Sequence, residues 1–187
     1  MRHLLLALIL MPIILALLSP ANAAAFENKS ENNNFSYSVD YIHGEGDVEG
    51  IKLGVQYHST FLQQYYEKLS LYWESSINFW EYGVTNRHES NFVLSVSPVI
   101  QYPIFQHFVH GMFVEGGIGI SFLDDTHFAG KNVSTHYQFE DRLGLIFTFG
   151  PDNKDQIALR YFHYSNAGIK KPNPGLDFIA LSYMNRF

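Results

Sequence analysis

Three polar residues near the C-terminus have the types and the spacing that a serine hydrolase needs. His163 and Ser165 are separated by one residue, so in a β-strand their side chains lie on the same face. If the next strand pairs so that Tyr161 lies opposite Ile179, then Asp177 lies opposite His163. Ser165 would be the nucleophile, His163 the base and Asp177 the carboxylate that orients the imidazole. The spacing therefore predicts serine hydrolase chemistry on one hairpin.

The elements that must position these residues are β-strands. Apolar and polar residues alternate along most of the chain, which is the period of a strand with two different faces. The alternation occurs in eight segments, over residues 35–41, 51–57, 69–79, 92–102, 108–122, 137–149, 156–165 and 176–187. Bacterial outer-membrane barrels begin at eight strands, and each strand needs about 9–11 residues to cross. We therefore predict an all-β fold, an eight-stranded antiparallel transmembrane β-barrel.

The composition favours a barrel whose outer face meets lipid. Charged residues make up only 16% of the 187 residues and aromatic residues another 16%, whereas an ordinary soluble domain has about 25% charged residues. A soluble barrel would show the same alternation with its apolar face inward. The membrane barrel is favoured because aromatic residues crowd the strand ends and the last strand ends on Phe187. The charged residues on the polar face, expected in the lumen, are Asp40, Lys52, Glu74, Glu115, Glu140, Arg142, Arg160 and Arg186.

Net charge and the absence of cysteine exclude other classes of protein. The formal net charge of −6 disfavours binding to nucleic acid. The chain has no cysteine, so it has no disulfide and no thiolate metal site. His107 and His110 would face opposite sides of a strand, and Asp124 and Asp125 are more simply solvated loop acids than Ca²⁺ ligands. We expect neither a metal nor a cofactor.

The N-terminal segment has the pattern of a secretory signal peptide. Arg2 and His3 precede an apolar run, and residues 21–23 (Ala-Asn-Ala) provide a small-x-small cleavage pattern. We expect residues 1–23 to be a signal peptide and residues 24–187 to form a single barrel domain. The alternative is an uncleaved membrane anchor.

The lengths of the links predict which end of the barrel faces the cell surface. Outer-membrane barrels have short periplasmic turns and longer external loops. The links at 103–107 and 151–155 are short, and the longer ones are 44–50, 82–91, 123–135 and 166–175. The link at 59–67 is long for a periplasmic turn. This orientation places His163, Ser165 and Asp177 on the lipid-facing wall near the external rim, where polar residues are costly unless they have a function or lie at the interface.

Two stretches around these residues, 163–168 (HYSNAG) and 173–177 (NPGLD), resemble the PagL-type lipid A 3-O-deacylases. These are eight-stranded outer-membrane barrels with a Ser/His/acid site on the lipid-facing wall. The resemblance implies that Ser165 is the nucleophile, His163 the general base and Asp177 the orienting acid. It also implies an oxyanion hole made by the Asn166 side chain and the backbone N–H of Gly168. The family has Glu where this chain has Asp177, which is one methylene shorter.

The resemblance implies hydrolysis of the 3-O-linked acyl ester of lipid A in lipopolysaccharide, at a site that faces the outer leaflet of the bacterial outer membrane. Tyr161, Ile179 and Leu143 could line an acyl groove, although packing in the aromatic girdle is the simpler role for them. Asp141 is a rival for the acid, because strand pairing brings it near Ser165, but a charge at the rim is the simpler interpretation. The alternatives are a non-catalytic structural or adhesion barrel and a lipid A acyltransferase. The sequence leaves a homodimer open.

Overall fold

The computed structural model describes residues 34–84, 87–105, 111–150 and 153–187, which form a closed antiparallel β-barrel. The barrel strands are β1 (Phe35–Gly44), β2 (Val48–Ser59), β3 (Ser70–Val84), β4 (Arg87–Phe105), β5 (Met112–Leu123), β8 (Tyr137–Phe149), β9 (Asp155–Ser165) and β10 (Leu176–Arg186). A small hairpin of β6 (His127–Phe128) and β7 (Lys131–Asn132) lies between β5 and β8, and a 3₁₀ turn covers Phe61–Gln64. Pairing of β1 with β10 closes the barrel, so the predicted eight-stranded architecture is confirmed.

Helices contribute little to the described part of the chain. Within the ranges given above, no helix is long and apolar enough to cross a membrane. The predicted signal peptide at 1–23 lies outside the described residues, as do parts of the predicted short links.

The two faces of the strands differ as the alternation predicts. Large apolar side chains stay exposed on the outer wall, whereas charged side chains such as Asp40, Lys52 and Glu74 are buried in the lumen. Three lumen cations pair with four carboxylates, so the lumen is a packed core rather than a pore. The ion pairs are Lys52 with Glu74 and Glu140, Arg142 with Glu74 and Glu140, and Arg160 with Asp40 and Glu115.

An apolar cluster fills the lumen at the end of the barrel that carries the candidate site. Trp80 lies at its centre, with ring centroids 4.5 Å from Phe178, 4.9 Å from Tyr164 and 6.0 Å from Phe128. Phe128 comes from the β6–β7 hairpin, which therefore caps this end of the barrel. The cap brings the hairpin close to the loop that follows β9.

Two links that the sequence predicts to be long, 44–50 and 82–91, are short in the structure, whereas the link at 59–67 is long as expected. Strands β1 and β2 pair as far as Gly44 and Val48, which leaves a turn of three residues. Strands β3 and β4 pair as far as Val84 and Arg87, so the segment 82–91 is largely strand rather than a long loop. The alternation misses this extension because Glu81 and Ser90, at outward positions, are polar. The link at 59–67 is occupied by the 3₁₀ turn, which exposes Phe61 and other aromatic rings at the opposite barrel end, as in an interfacial girdle.

Candidate active site

The pairing of β9 with β10 brings the predicted base and acid together. Tyr161 pairs with Ile179 and His163 with Asp177, so the predicted register is confirmed. Nδ1 of His163 lies 2.6 Å from Oδ1 of Asp177, which is a hydrogen bond between the imidazole and the carboxylate. Both side chains lie on the outer face of the barrel, since their neighbours along each strand, Phe162 and Tyr164 on β9 and Leu176 and Phe178 on β10, are buried in the lumen.

Ser165 is the last residue of β9. Strand alternation gives it the same face as His163, and it pairs with Phe139 of β8. Pairing with β10 ends one residue earlier, at Tyr164 and Leu176, so Ser165 lies where the loop 166–175 leaves the sheet. Ser165 is only 4% exposed. We call residues 166–175 the site loop, because it connects the serine to the strand that carries Asp177.

Tyr161 is part of this cluster, although its sequence position suggested a role in an acyl groove or the girdle. Its hydroxyl donates a hydrogen bond to Oδ1 of Asp177, the same oxygen that contacts His163. A signal for this contact exists in the sequence, because Tyr161 shares the face of His163 and lies diagonally opposite Asp177. An aromatic residue on a lipid-facing strand has a more common explanation, which hid that signal.

Asp141, the rival acid, is expected near Ser165, and strand pairing places it diagonally across from Ser165 on the outer face. Asp141 of β8 is directly opposite His163, and Phe139 is the residue opposite Ser165. His163 therefore lies between two strands that each present an aspartate at its level. The hydrogen bond from Nδ1 goes to Asp177, which supports that residue as the orienting acid.

The site loop is organised around the side chain of Asn166, which is fully buried. Its Nδ2 donates to the carbonyl oxygens of Val133, at 3.0 Å, and Lys170, at 2.9 Å. Its Oδ1 accepts the backbone N–H of Gly168 at 3.0 Å. The predicted oxyanion donors thus bond within and around the loop in this structure, and their assignment as an oxyanion hole stays a prediction.

Residues 131–134, in and just after the β6–β7 hairpin, form hydrogen bonds with the site loop. Besides the contact of Val133 with Asn166, Ser134 Oγ donates to the carbonyl oxygen of Pro172 at 2.6 Å. Lys131 Nζ donates to the carbonyl oxygen of Gly175 at 3.1 Å. The loop that carries the site is therefore braced by residues more than thirty positions earlier in the chain.

The lumen side of β9 anchors the same segment from within. Tyr164, between the two catalytic candidates, donates its hydroxyl to Oε2 of Glu140 at 2.8 Å. Lys52 Nζ lies 4.5 Å from the ring centroid of Phe162, a cation–π contact. Inward side chains thus fix the strand backbone, while the outward side chains form the candidate site.

The residues considered as metal ligands serve other purposes where they can be described. Asp124 Oδ1 accepts the backbone N–H of Phe92, and Asp125 Oδ1 that of His127, each at 2.8 Å. Among the residues that the structure describes, no group of three or more His, Asp or Glu side chains could hold a metal ion. His107 and His110 lie outside these residues.

Comparison with known proteins gives one consistent family. The family model described as lipid A 3-O-deacylase (PagL) matches residues 49–186. The lipid A deacylase PagL of Pseudomonas aeruginosa is 29% identical over 175 residues, which cover 93% of this chain and 96% of that protein. The protein of the same name from Bordetella bronchiseptica is 48% identical over 75 residues, or 40% of this chain and 41% of that protein.

Three-dimensional comparison agrees with the sequence comparison. The crystal structure of the outer membrane enzyme PagL superimposes with a TM-score of 0.69 at 27% sequence identity. The match covers 81% of this chain and 99% of the solved one. The chain belongs to the PagL family of lipid A 3-O-deacylases.

Proposed function

We propose that the protein removes the 3-O-linked acyl group of lipid A with Ser165, His163 and Asp177 as its catalytic triad. Family membership gives the reaction class, hydrolysis of an ester in the outer membrane. The observation that carries the assignment is the 2.6 Å hydrogen bond between His163 and Asp177 on the lipid-facing wall. Ser165 lies two residues along the same strand face.

Acylation of the enzyme is the first half of the reaction. Ser165 Oγ attacks the carbonyl carbon of the ester while Nε2 of His163 takes the hydroxyl proton. Asp177 holds the Nδ1 side of the ring, which fixes the tautomer and stabilises the imidazolium. When the tetrahedral intermediate collapses, His163 returns the proton to the sugar oxygen, which leaves as an alcohol.

Deacylation completes the cycle. Water attacks the acyl-serine carbonyl, and His163 accepts a proton from that water. Collapse of the second intermediate releases the (hydroxy) fatty acid, and the proton returns to Ser165. Every group in this scheme belongs to one chain, so the proposed reaction does not need a homodimer.

Asn166 and Gly168 are the proposed donors to the oxyanion. Asn166 Nδ2 and the Gly168 N–H already donate hydrogen bonds to protein oxygens within or beside the site loop. To stabilise the oxyanion, each of them must share its hydrogen with the substrate or break its bond to the protein. A single donor to an oxyanion contributes about 10²–10³ in rate in other hydrolases. The fixed loop would keep these donors next to Ser165 before substrate arrives.

We also propose that this end of the barrel faces the cell exterior. The outer wall below the site is apolar, with Leu159, Ile179 and Leu181 exposed on β9 and β10. Lipid would cover that surface, and the acyl esters of lipid A lie just below the headgroups of the outer leaflet. In this orientation the ester reaches Ser165 without extraction of the lipid from the membrane.

Mass spectrometry of lipid A from cells that produce the protein tests the proposal. We expect loss of one hydroxyacyl chain with the wild type and no loss with Ser165→Ala. Ser75→Ala is a matched control, because Ser75 is another outward-facing serine on the barrel wall and lies on β3, away from the site. It should retain wild-type activity.

Three results would overturn the proposal. Deacylation by Ser165→Ala would exclude this serine as the nucleophile. A heavier lipid A would indicate an acyltransferase, and unchanged lipid A with the correctly folded wild type would indicate a non-catalytic barrel.

A further inference from the structure

We infer that Tyr161 is a positioning residue, whose hydroxyl holds the Asp177 carboxylate in the orientation that binds Nδ1 of His163. The inference rests on the proposed triad, since it assigns a role to a residue that acts through Asp177. It goes beyond the triad because it adds a second hydrogen bond on which the alignment of the base depends.

The geometry is a convergence of two donors on one oxygen. Tyr161 Oη and His163 Nδ1 both contact Oδ1 of Asp177. The two donors come from β9, two residues apart on one face, and the acceptor comes from β10. Both donors belong to the same strand. Rotation of the Asp177 carboxylate would therefore break at least one of the two hydrogen bonds.

The location explains why a second bond is needed. The Asp177 side chain is 28% exposed on a wall that faces lipid, where water is scarce and an unsatisfied carboxylate is costly. A carboxylate that turned away from His163 would leave the imidazole in several orientations. Catalysis falls steeply when a catalytic group loses its alignment.

The same arrangement occurs at the other end of the same hairpin, without a histidine. Tyr183 Oη donates to Oδ1 of Asp155 at 2.6 Å, and Asn185 Nδ2 donates to the same oxygen at 2.8 Å. Tyr183 is 38% exposed and Tyr161 42%, so the two side chains are exposed on the barrel wall to a similar extent. The Tyr183–Asp155 hydrogen bond therefore provides a control for any general effect of a Tyr–Asp bond on the barrel.

Kinetics of the purified protein in detergent micelles, expressed per folded barrel, test the inference. Tyr161→Phe keeps the ring and removes only the hydroxyl. We expect kcat to fall about tenfold, the order of one hydrogen bond to a charged group, while KM is unchanged. Tyr183→Phe should leave both constants unchanged.

A double-mutant cycle with Asp177→Asn separates positioning from other roles. If Tyr161 acts through Asp177, then Tyr161→Phe causes no further loss of kcat in the Asp177→Asn background. Independent losses in the double variant, or a change of KM alone, would overturn the inference. So would full kcat in Tyr161→Phe when Asp177→Asn is impaired, and this outcome would leave the triad intact. Full activity of Asp177→Asn would instead overturn the assignment of the acid, and the inference with it.

Discussion

The backbone of Gly175 lies against the imidazole ring of His163. A Cβ atom on Gly175 would come within 2.5 Å of Cε1 and 3.2 Å of Nε2 of that ring. Gly175 also has a φ of +74°, in the left-handed region where a side chain is unfavourable. The site loop thus confines the ring on one side, while Asp177 holds it through Nδ1 on another.

Gly175→Ala should reduce deacylation by at least about tenfold, because the new methyl group would displace the His163 ring. Gly130→Ala is the matched control. Gly130 has a φ of +71°, but no atom lies within 4 Å of the place that its Cβ would take, so the substitution introduces backbone strain without a collision. Rates per folded barrel check the prediction, and equal losses in the two variants would contradict it.

Lys131→Met should loosen the site loop, because it removes the hydrogen bond to the carbonyl oxygen of Gly175. We expect faster amide hydrogen exchange across residues 166–175 and a loss of kcat of about threefold to tenfold. Glu45→Gln weakens only the ion pair of Lys131 with Glu45, whose side chain is 58% exposed. An exposed pair contributes about 0–1 kcal/mol, so this variant should resemble the wild type. Unchanged hydrogen exchange in Lys131→Met would show that the hydrogen bond from Lys131 to Gly175 is not needed to hold the site loop in place.

Asn166→Ala should open the site loop, since the side chain bonds to Val133, Gly168 and Lys170. Trypsin should then cleave after Lys170 faster than in the wild type. Asn185→Ala removes a side-chain hydrogen bond to Asp155 at the other end of the β9–β10 hairpin, away from the site loop, and should leave cleavage unchanged. An inactive Asn166→Ala protein that resists trypsin like the wild type would instead indicate that Asn166 acts on the oxyanion.

Glu140→Gln should destabilise the barrel by about 3–5 kcal/mol, because it removes a buried charge whose partners remain charged. Glu140 binds Lys52 at 2.9 Å, Arg142 at 3.0 Å and the hydroxyl of Tyr164 at 2.8 Å. Urea unfolding followed by the electrophoretic shift of the folded barrel measures the effect. Glu67→Gln, at an exposed position, is the control and should change the free energy of unfolding little. Equal stabilities would mean that the lumen network tolerates the loss of one charge.

The sequence by itself determined the strands, their two faces and the hairpin that joins His163 to Asp177. These features are local, because strand alternation has a period of two and a hairpin fixes its own register. The prediction of long links from the sequence failed at the β1–β2 hairpin and at the β3–β4 hairpin, where polar residues at outward positions conceal a continuing strand.

Only the tertiary structure decided what holds the site in place. The bond from Tyr161 to Asp177 crosses strands diagonally, and the sequence pattern gives the face of Tyr161 but not the partner of its hydroxyl. The contacts of Lys131 with Gly175 and of Tyr164 with Glu140 join residues far apart in the chain. Such contacts depend on how the loops meet above the closed barrel and how side chains fill its lumen, and alternation along a single strand carries no information about either.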